Sequence, residues 1–292
     1  MPVIENTTRS KQLLTTREKK SNISIRFSKF WDKDRISRMG TIIGFFVLWQ
    51  IIGMLNVRAE WFNPVFLPTP INVMEAALHL HDRGVLIGHI WSSAWRLGLG
   101  FSLGVSIAVI LAFLIVKFKV VQNIVDPLIN MIGPIPPFAL LPIFIIWMGV
   151  GDVSKLTLIT YSTAIPMIAY TVDGIRNVNP LLIRSSLALG ANQRQVFTKV
   201  ILPSALPPIF VGMRVTLAIS FSAMVVAEMI GSHSGLGYLI IDSRNFFQMS
   251  NMFLAAALIG ALYFVFAFFL GLIEGKLFKW KKGTQISDAV QK

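Results

Sequence analysis

The sequence predicts an all-α, polytopic membrane protein with six transmembrane helices and both termini in the cytoplasm. Three observations predict it: apolar residues gather into six long runs, charge is scarce within those runs, and Lys and Arg fall mainly on one set of connecting loops. Hydrophobic residues make up 54% of the 292-residue chain and charged residues 14%, against about 25% charged in typical soluble domains. That balance argues against a soluble fold. The long runs are what helices facing lipid on several sides require. Cysteine is absent, which removes disulfides, thiolate metal sites and cysteine nucleophiles. The net charge of +13 could suggest nucleic acid, but it is concentrated in the first forty residues and near helix ends. That placement points to topology signals and anionic lipid, with no nucleic-acid partner.

Residues 1–38 carry ten Lys or Arg side chains, from Arg9 to Arg38, with few acids and little periodicity; a flexible basic cytoplasmic tail is expected. No short apolar core with a small-residue cleavage site is present in it, so no secretory signal is expected. The transmembrane domain is expected over 39–280 and a C-terminal cytoplasmic tail over 281–292. The first apolar run, Thr41 to Val57, is about 25 Å of helix at about 1.5 Å per residue. Asn63-Pro64 and Leu67-Pro68-Thr69-Pro70 cannot continue it. A short segment with a polar stripe of Asn72, Glu75, His79 and Asp82 is expected to lie in the outer interface.

The second span is expected from about His89 to Val116, closed by Lys117 and Lys119. The third, about Ile129 to Val150, contains Pro134, Pro136, Pro137 and Pro142, so it must kink or open where neighbouring helices can satisfy its backbone. The fourth covers Leu156 to Val172, the fifth Ile209 to Ile230 and the last Phe253 to Ile273. Loop charge sets the orientation. With the N-terminus inside, Lys117, Lys119, Arg176, Arg184, Arg194, Lys199 and the C-terminal lysines are cytoplasmic, and only Arg58, Arg83, Lys155 and Arg244 lie outside.

The cytoplasmic segment 173–208 is too polar to cross the bilayer yet is helical in pattern on both sides of a glycine. Pro180 suits a first helical turn, Gly190 permits a sharp turn and Pro203 closes the second helix. Two short helices at an angle would project a compact knob; an amphipathic loop resting on the membrane is the plainer alternative. The segment resembles the EAA loop of ABC import permeases, whose pattern is Glu-Ala-Ala, three residues, Gly, nine residues, an aliphatic residue, one residue and Leu-Pro. Those slots fall on Arg184, Ser185, Ser186, Gly190, Val200, Leu202 and Pro203, so the spacing, the glycine and Leu-Pro match while Glu-Ala-Ala does not. Serines at the alanine slots still allow close packing, whereas Arg184 reverses the charge expected there. Ala191 and Asn192 complete the turn.

Further stretches narrow the resemblance to permeases of the nitrate, sulfonate, taurine and bicarbonate group. They are Leu67 to Pro70, Ser92-Ser93-Ala-Trp95-Arg96-Leu-Gly98-Leu-Gly100-Phe101, Asp126-Pro127 through Pro142, Val226 to Gly231, and Ser234-Gly235-Leu236-Gly237-Tyr238. The resemblance implies a homodimeric, multi-pass permease in the bacterial inner membrane that imports a small anion by alternating access. It also implies separate ATPase subunits that carry ATP and magnesium and grip the EAA-type loop, and an extracytoplasmic binding protein that delivers substrate. No cofactor is expected in this chain: Gly275-Lys276-Leu277 lacks the upstream glycine and hydroxyl residue of a phosphate-cradling loop. His79, His81, His89 and His233 show no metal-ligand pattern beyond Glu75 with His79, which reads as an exposed stripe, so no metal is expected. Catalytic residues are not expected either, since Asp152, Asp173 and Asp242 fall at separate membrane boundaries. An ATP-independent secondary transporter or channel is the competing class; it would show inverted repeats or several ionisable residues in mid-membrane, and only Arg96 and Glu228 stand out.

Arg96, near Ser92 and Ser93, falls about two turns, roughly 10 Å, inside the second span. An arginine at such depth is costly without a partner or a watery cavity. Three readings stay open: outward snorkelling, an ion pair with Glu228, or contact with an anionic substrate. If the pair is structural, exchanging the two charges should restore what Arg96→Glu alone destroys.

Overall fold

The computed structural model describes residues 39–61 and 63–278; the expected tails 1–38 and 281–292 lie outside the described residues. The chain divides into two compact units, Met1–Asn72 and Val73–Lys292. In the first, the apolar run forms helix α1 (Met39–Ala59), along which only Gly53 and Asn56 are buried. The Pro-rich stretch folds back on it. Trp49 Nε1 donates to the Pro68 carbonyl at 3.0 Å, and a Cβ on Gly53 would stand 2.7 Å from the Thr69 methyl. Helix α2 (Pro70–Asp82) starts with Pro at its first position and a reciprocal cap. Asn72 Oδ1 accepts from the Thr69 N–H at 3.1 Å and Thr69 Oγ1 accepts from the Asn72 N–H at 3.3 Å.

The second unit is built around three packed helices, α3 (Leu86–Lys117), α6 (Asp152–Arg176) and α9 (Leu202–Gly231). Helix α6 lies against both of the others. Its approach to α3 depends on glycine: a Cβ on Gly104 would fall 2.5 Å from Thr163 Cβ and 2.8 Å from the Thr160 carbonyl. Gly212 on α9 does the same against Tyr170, at 2.5 Å from its Cβ. Small residues let helix backbones close up where lipid supplies no hydrophobic drive between helices. The shielding explains the composition of α6, which buries Ser154, Lys155, Ser162, Thr163 and Thr171. Thr163 Oγ1 and Ser220 Oγ share a hydrogen bond of 2.6 Å across the α6–α9 contact.

Among the described residues, four helices are long and apolar enough to cross a membrane: α1, α3, the continuous helix Gln193–Gly231 that contains α9, and α11 (Met249–Leu277). A fifth is counted if the bent pair of helices between α3 and α6 is one span. Helix α6, with 25 residues and about 37 Å at about 1.5 Å per residue, is long enough but too polar to register as an apolar run.

The proline-rich stretch Ile129 to Val150, expected to kink or open, does open, into two helices rather than one. Helix α4 starts upstream, at Lys119, and ends at Ile132. After a short 3-10 turn at Pro137–Leu140, α5 (Leu141–Met148) leaves at 91°. Pro134, Pro136 and Pro137 leave three of four successive positions without the N–H that would continue the ladder. The segment 173–208, expected to be cytoplasmic, forms α7 (Pro180–Ala188) and α8 (Gln193–Val196), and a π-helical turn at Phe197–Ile201 runs α8 into α9. A further helix, α10 (Leu236–Asn245), follows α9. It packs through Leu239 on Ala76 and Leu80 of α2 and on Leu254 and Ala255 of α11.

Candidate functional site

Arg96 lies ten residues into α3, Glu228 one turn before the end of α9, and Asp152 at the first residue of α6. The fold brings all three to one end of the bundle. Arg96 is 4% exposed and Glu228 is fully buried. The guanidinium donates from Nε to Asp152 Oδ1 at 2.7 Å and from Nη1 to Glu228 Oε1 at 2.9 Å. It also donates from Nη1 to the Ser234 carbonyl at 2.8 Å and from Nη2 to Ser234 Oγ at 3.0 Å. Ser93, one turn earlier on α3, donates to the Glu228 carboxylate, with oxygens 2.7 and 2.9 Å away, and accepts from the Leu236 N–H at 2.8 Å. The Gly237 N–H completes the set, donating to Glu228 Oε2 at 3.0 Å. Lys155 Nζ is 3.6 Å from Asp152, so two cations balance two carboxylates. A buried ionic group survives when it is paired and its remaining hydrogen-bonding capacity is met.

Local sequence explains why the chain can wrap this carboxylate. Gly235 has φ +119°, and a side chain there would land on the Glu228 carboxylate. A Cβ on Gly237 would sit 2.8 Å from Glu228 Cβ and 2.5 Å from the Val225 carbonyl. The Ser234-Gly235-Leu236-Gly237 stretch is therefore a close-approach loop. His89 Nδ1 accepts from the Gly235 N–H at 3.1 Å and its ring stacks on Tyr238 with centroids 5.9 Å apart.

Arg96, Ser93 and Glu228 thus meet, and half-buried Ser92 is not among the contacts. Asp152, Lys155, His89 and the Ser234 to Gly237 backbone are partners that sequence reasoning did not assign. Lys155 in particular was expected in an outer loop just before the fourth span, whereas it lies in the first turn of α6 and is 4% exposed. The expected helix start at Leu156 cut it off from the turn that buries it. Sequence reasoning also passed over Arg214 on α9, which pairs with Glu274 of α11 at 2.5 Å.

The second constellation is the knob. Asn179 caps α7, accepting from the Leu181 N–H at 2.9 Å. The chain then turns at Gly190, φ +84°, and restarts at Asn192 with a capping box to Gln195, both bonds 2.9 Å. The base of the knob is anchored: Val196 is buried, Ile183 and Ile201 pack on the core containing Ile115, Ile175 and Val178, and Phe197 meets Phe113 edge to face at 5.7 Å. Its crest is bare. Leu189 is 88% and Leu181 67% exposed. Arg184, Ser185, Gly190 and Asn192 are exposed, while Ser186 and Ala191 are half-buried. Pro203 does not close the second helix as expected: α8 runs on through the π turn into α9, and Leu202 and Pro203 sit in the first turn of α9, where a missing N–H is tolerated.

The described residues share their fold with membrane chains of ABC transporters of known structure. A chain of the MetNI methionine ABC transporter superposes with a TM-score of 0.58 at 18% identity, covering 67% of this chain and 97% of that one. A chain of an amino acid ABC transporter superposes at 0.55, with 17% identity and coverage of 68% and 97%. The chain belongs to the family described as binding-protein-dependent transport system inner membrane component, which matches residues 104–279. It is a multi-pass plasma-membrane transport subunit. Among its relatives, the protein named aliphatic sulfonates transport permease SsuC of Bacillus subtilis (strain 168) is 36% identical over 238 residues, 82% of this chain and 85% of that one. The taurine transport system permease TauC of Escherichia coli (strain K12) is 30% identical over 252 residues, 85% and 90%. The formylaminopyrimidine transport permease ThiX of Halalkalibacterium halodurans is 26% identical over 82% and 94%.

Proposed function

We propose that this chain forms, as a homodimer, the membrane path of an ATP-driven importer for a small sulfonate-type solute, or another small anion such as nitrate or bicarbonate. Six spans are assigned to α1, α3, the α4–α5 pair, α6, α9 and α11, with both termini cytoplasmic. Separate ATPase subunits hold ATP and magnesium and dock on the knob, and an extracytoplasmic binding protein delivers the solute for alternating access. The observation that carries the reading is the contrast within residues 180–203: a base locked into the bundle core and a crest presenting Leu181 and Leu189 to the outside. Such a rigid lever with an unburied apolar tip fits a partner that pulls on it. Relatives named for sulfonate and taurine transport support the solute class.

Gly190→Val tests it. No atom lies within 4 Å of a Cβ there, so the only obstacle is the left-handed backbone, which costs a β-branched residue about 1–2 kcal/mol. The bundle should fold while the knob loses its shape. Copurification of the ATPase and ATP-dependent uptake should both fall sharply; unchanged recovery and uptake would remove the knob from the coupling role.

A further inference from the structure

Midway along α6 and α9, remote from the Arg96 cluster, a cavity of about 440 Å³ opens beside the break between α4 and α5. Its wall has an unusual hydrogen-bonding character. Pro134, Pro137 and Pro166 all line it, and so do Asn130, Gly133 and Ser162, the residues four positions before each of them. Proline has no N–H, so the carbonyls of Asn130, Gly133 and Ser162 cannot receive the helical bond from four residues on. The lining hydroxyls add acceptors rather than donors. Tyr161 donates its proton to the Ile132 carbonyl at 3.0 Å, and Ser162 donates to the Ile159 carbonyl at 2.8 Å; each hydroxyl is left with lone pairs to offer. The C-terminal, negative end of the α4 dipole also terminates here, at Ile132 and Gly133. The stretch that follows α4 enters the lining through Gly133, Pro134, Ile135 and Pro137; the prolines have no N–H, and those of Gly133 and Ile135 are already given to the Ile129 and Ile132 carbonyls at 2.7 and 3.0 Å. The Asn130 amide is the one side-chain N–H among the lining residues, which include no Lys, Arg, His, Asp or Glu. The remainder is isoleucine, proline and alanine.

We infer that this cavity is a transit site for a small solute that carries N–H donors, an ammonium or amino group on a compact apolar body. A bare oxyanion, which only accepts, is disfavoured there. Unwound carbonyls and helix C-termini at a broken span are suited to cationic groups, as helix N-termini are to anions. The inference rests on the importer reading and narrows its solute class to aminosulfonate-like or amino-heterocyclic compounds, with the acidic end of a zwitterion left in the open, wet side of the site.

The test uses the assembled importer in proteoliposomes, comparing uptake of taurine with ethanesulfonate, which lacks only the amine, and with nitrate. Asn130 is exposed on α4, so Asn130→Lys and Asn130→Asp are tolerable changes, checked by recovery of the complex. ATPase and binding protein are the same in every sample, so a changed ratio belongs to this chain. Asn130→Lys should lower the taurine-to-ethanesulfonate uptake ratio about tenfold or more, as expected when hydrogen bonding to a charged group is replaced by repulsion. Asn130→Asp should keep or raise the ratio. An unchanged ratio in both variants, or wild-type uptake of ethanesulfonate and nitrate equal to taurine, would overturn the inference while leaving the importer intact. Absence of ATP-dependent uptake of all three would remove the importer reading itself.

Discussion

Replacing Arg96 by Gln keeps a polar side chain in α3 and removes the only cation that touches Glu228 among the described residues. The carboxylate has no exposed surface and keeps just the Ser93 hydroxyl and the Gly237 N–H. Breaking a buried ion pair by removing one partner costs about 3–5 kcal/mol, because an uncompensated charge stays behind. At about 2–4 °C per kcal/mol for a chain of this size, the midpoint of thermal unfolding should fall by roughly 6–20 °C. The assay is thermal unfolding of the purified protein, with membrane abundance as a second readout. Arg96→Gln combined with Glu228→Gln should recover at least half of the loss, since both charges are then gone. Exchanging the charges, Arg96→Glu with Glu228→Arg, should not rescue. Position 96 also faces Asp152, and position 228 receives the Gly237 N–H, so the swap sets like charges and donors against each other. The four hydrogen bonds Arg96 already donates leave it little capacity for a solute, which favours a structural role over substrate contact. A midpoint within 2 °C of wild type, with uptake lost for an anionic solute alone, would refute this reasoning in favour of direct binding.

Two further outcomes are expected. Gly104→Leu drives a side chain into Thr163 and the Thr160 carbonyl, forcing α3 from α6; such overpacking costs about 1–3 kcal/mol or more and should reduce the recovered, folded protein, whereas the same change at Gly98, whose Cβ would meet only Phe266 at 3.7 Å, should be milder. Gly235→Ala puts a methyl on the Glu228 carboxylate and strains a φ of +119°, so its unfolding midpoint should fall alongside that of Arg96→Gln, and combining the two should cost less than the sum because they break one network.

The spans that face lipid were legible because lipid demands unbroken apolar sequence: α1, α3, α9 and α11 each follow from a run of residues. Helix α6 was legible only in part. Its core from Leu156 to Val172 is apolar enough to read, but its first turn carries Asp152 and Lys155, which look like loop residues until Arg96 is placed beside them. Helix α4 was hidden in the same way, since Gln122, Asn123 and Asp126 interrupt the run that resumes at Ile129. The prolines announced that the third span must open; its angle is set by packing on α6 and had no local signal. Arg96 and Glu228 stood out by their depth in apolar sequence. Asp152, 56 residues from Arg96, did not, because contacts between helices leave no trace in the spacing along either one. The knob was the most readable feature, because Asn179-Pro180, Gly190 and Asn192 to Gln195 each write a local cap or turn into the sequence.

The central claim, that this chain moves solute only when driven by ATP on a partner, is tested most directly by uptake into proteoliposomes holding the chain with its ATPase and binding protein. The account predicts accumulation above the outside concentration that requires internal ATP, magnesium and the binding protein, and that disappears with Gly190→Val. Equilibration of solute through the permease alone, with no need for ATP or either partner, would contradict it and make the chain a channel or secondary carrier.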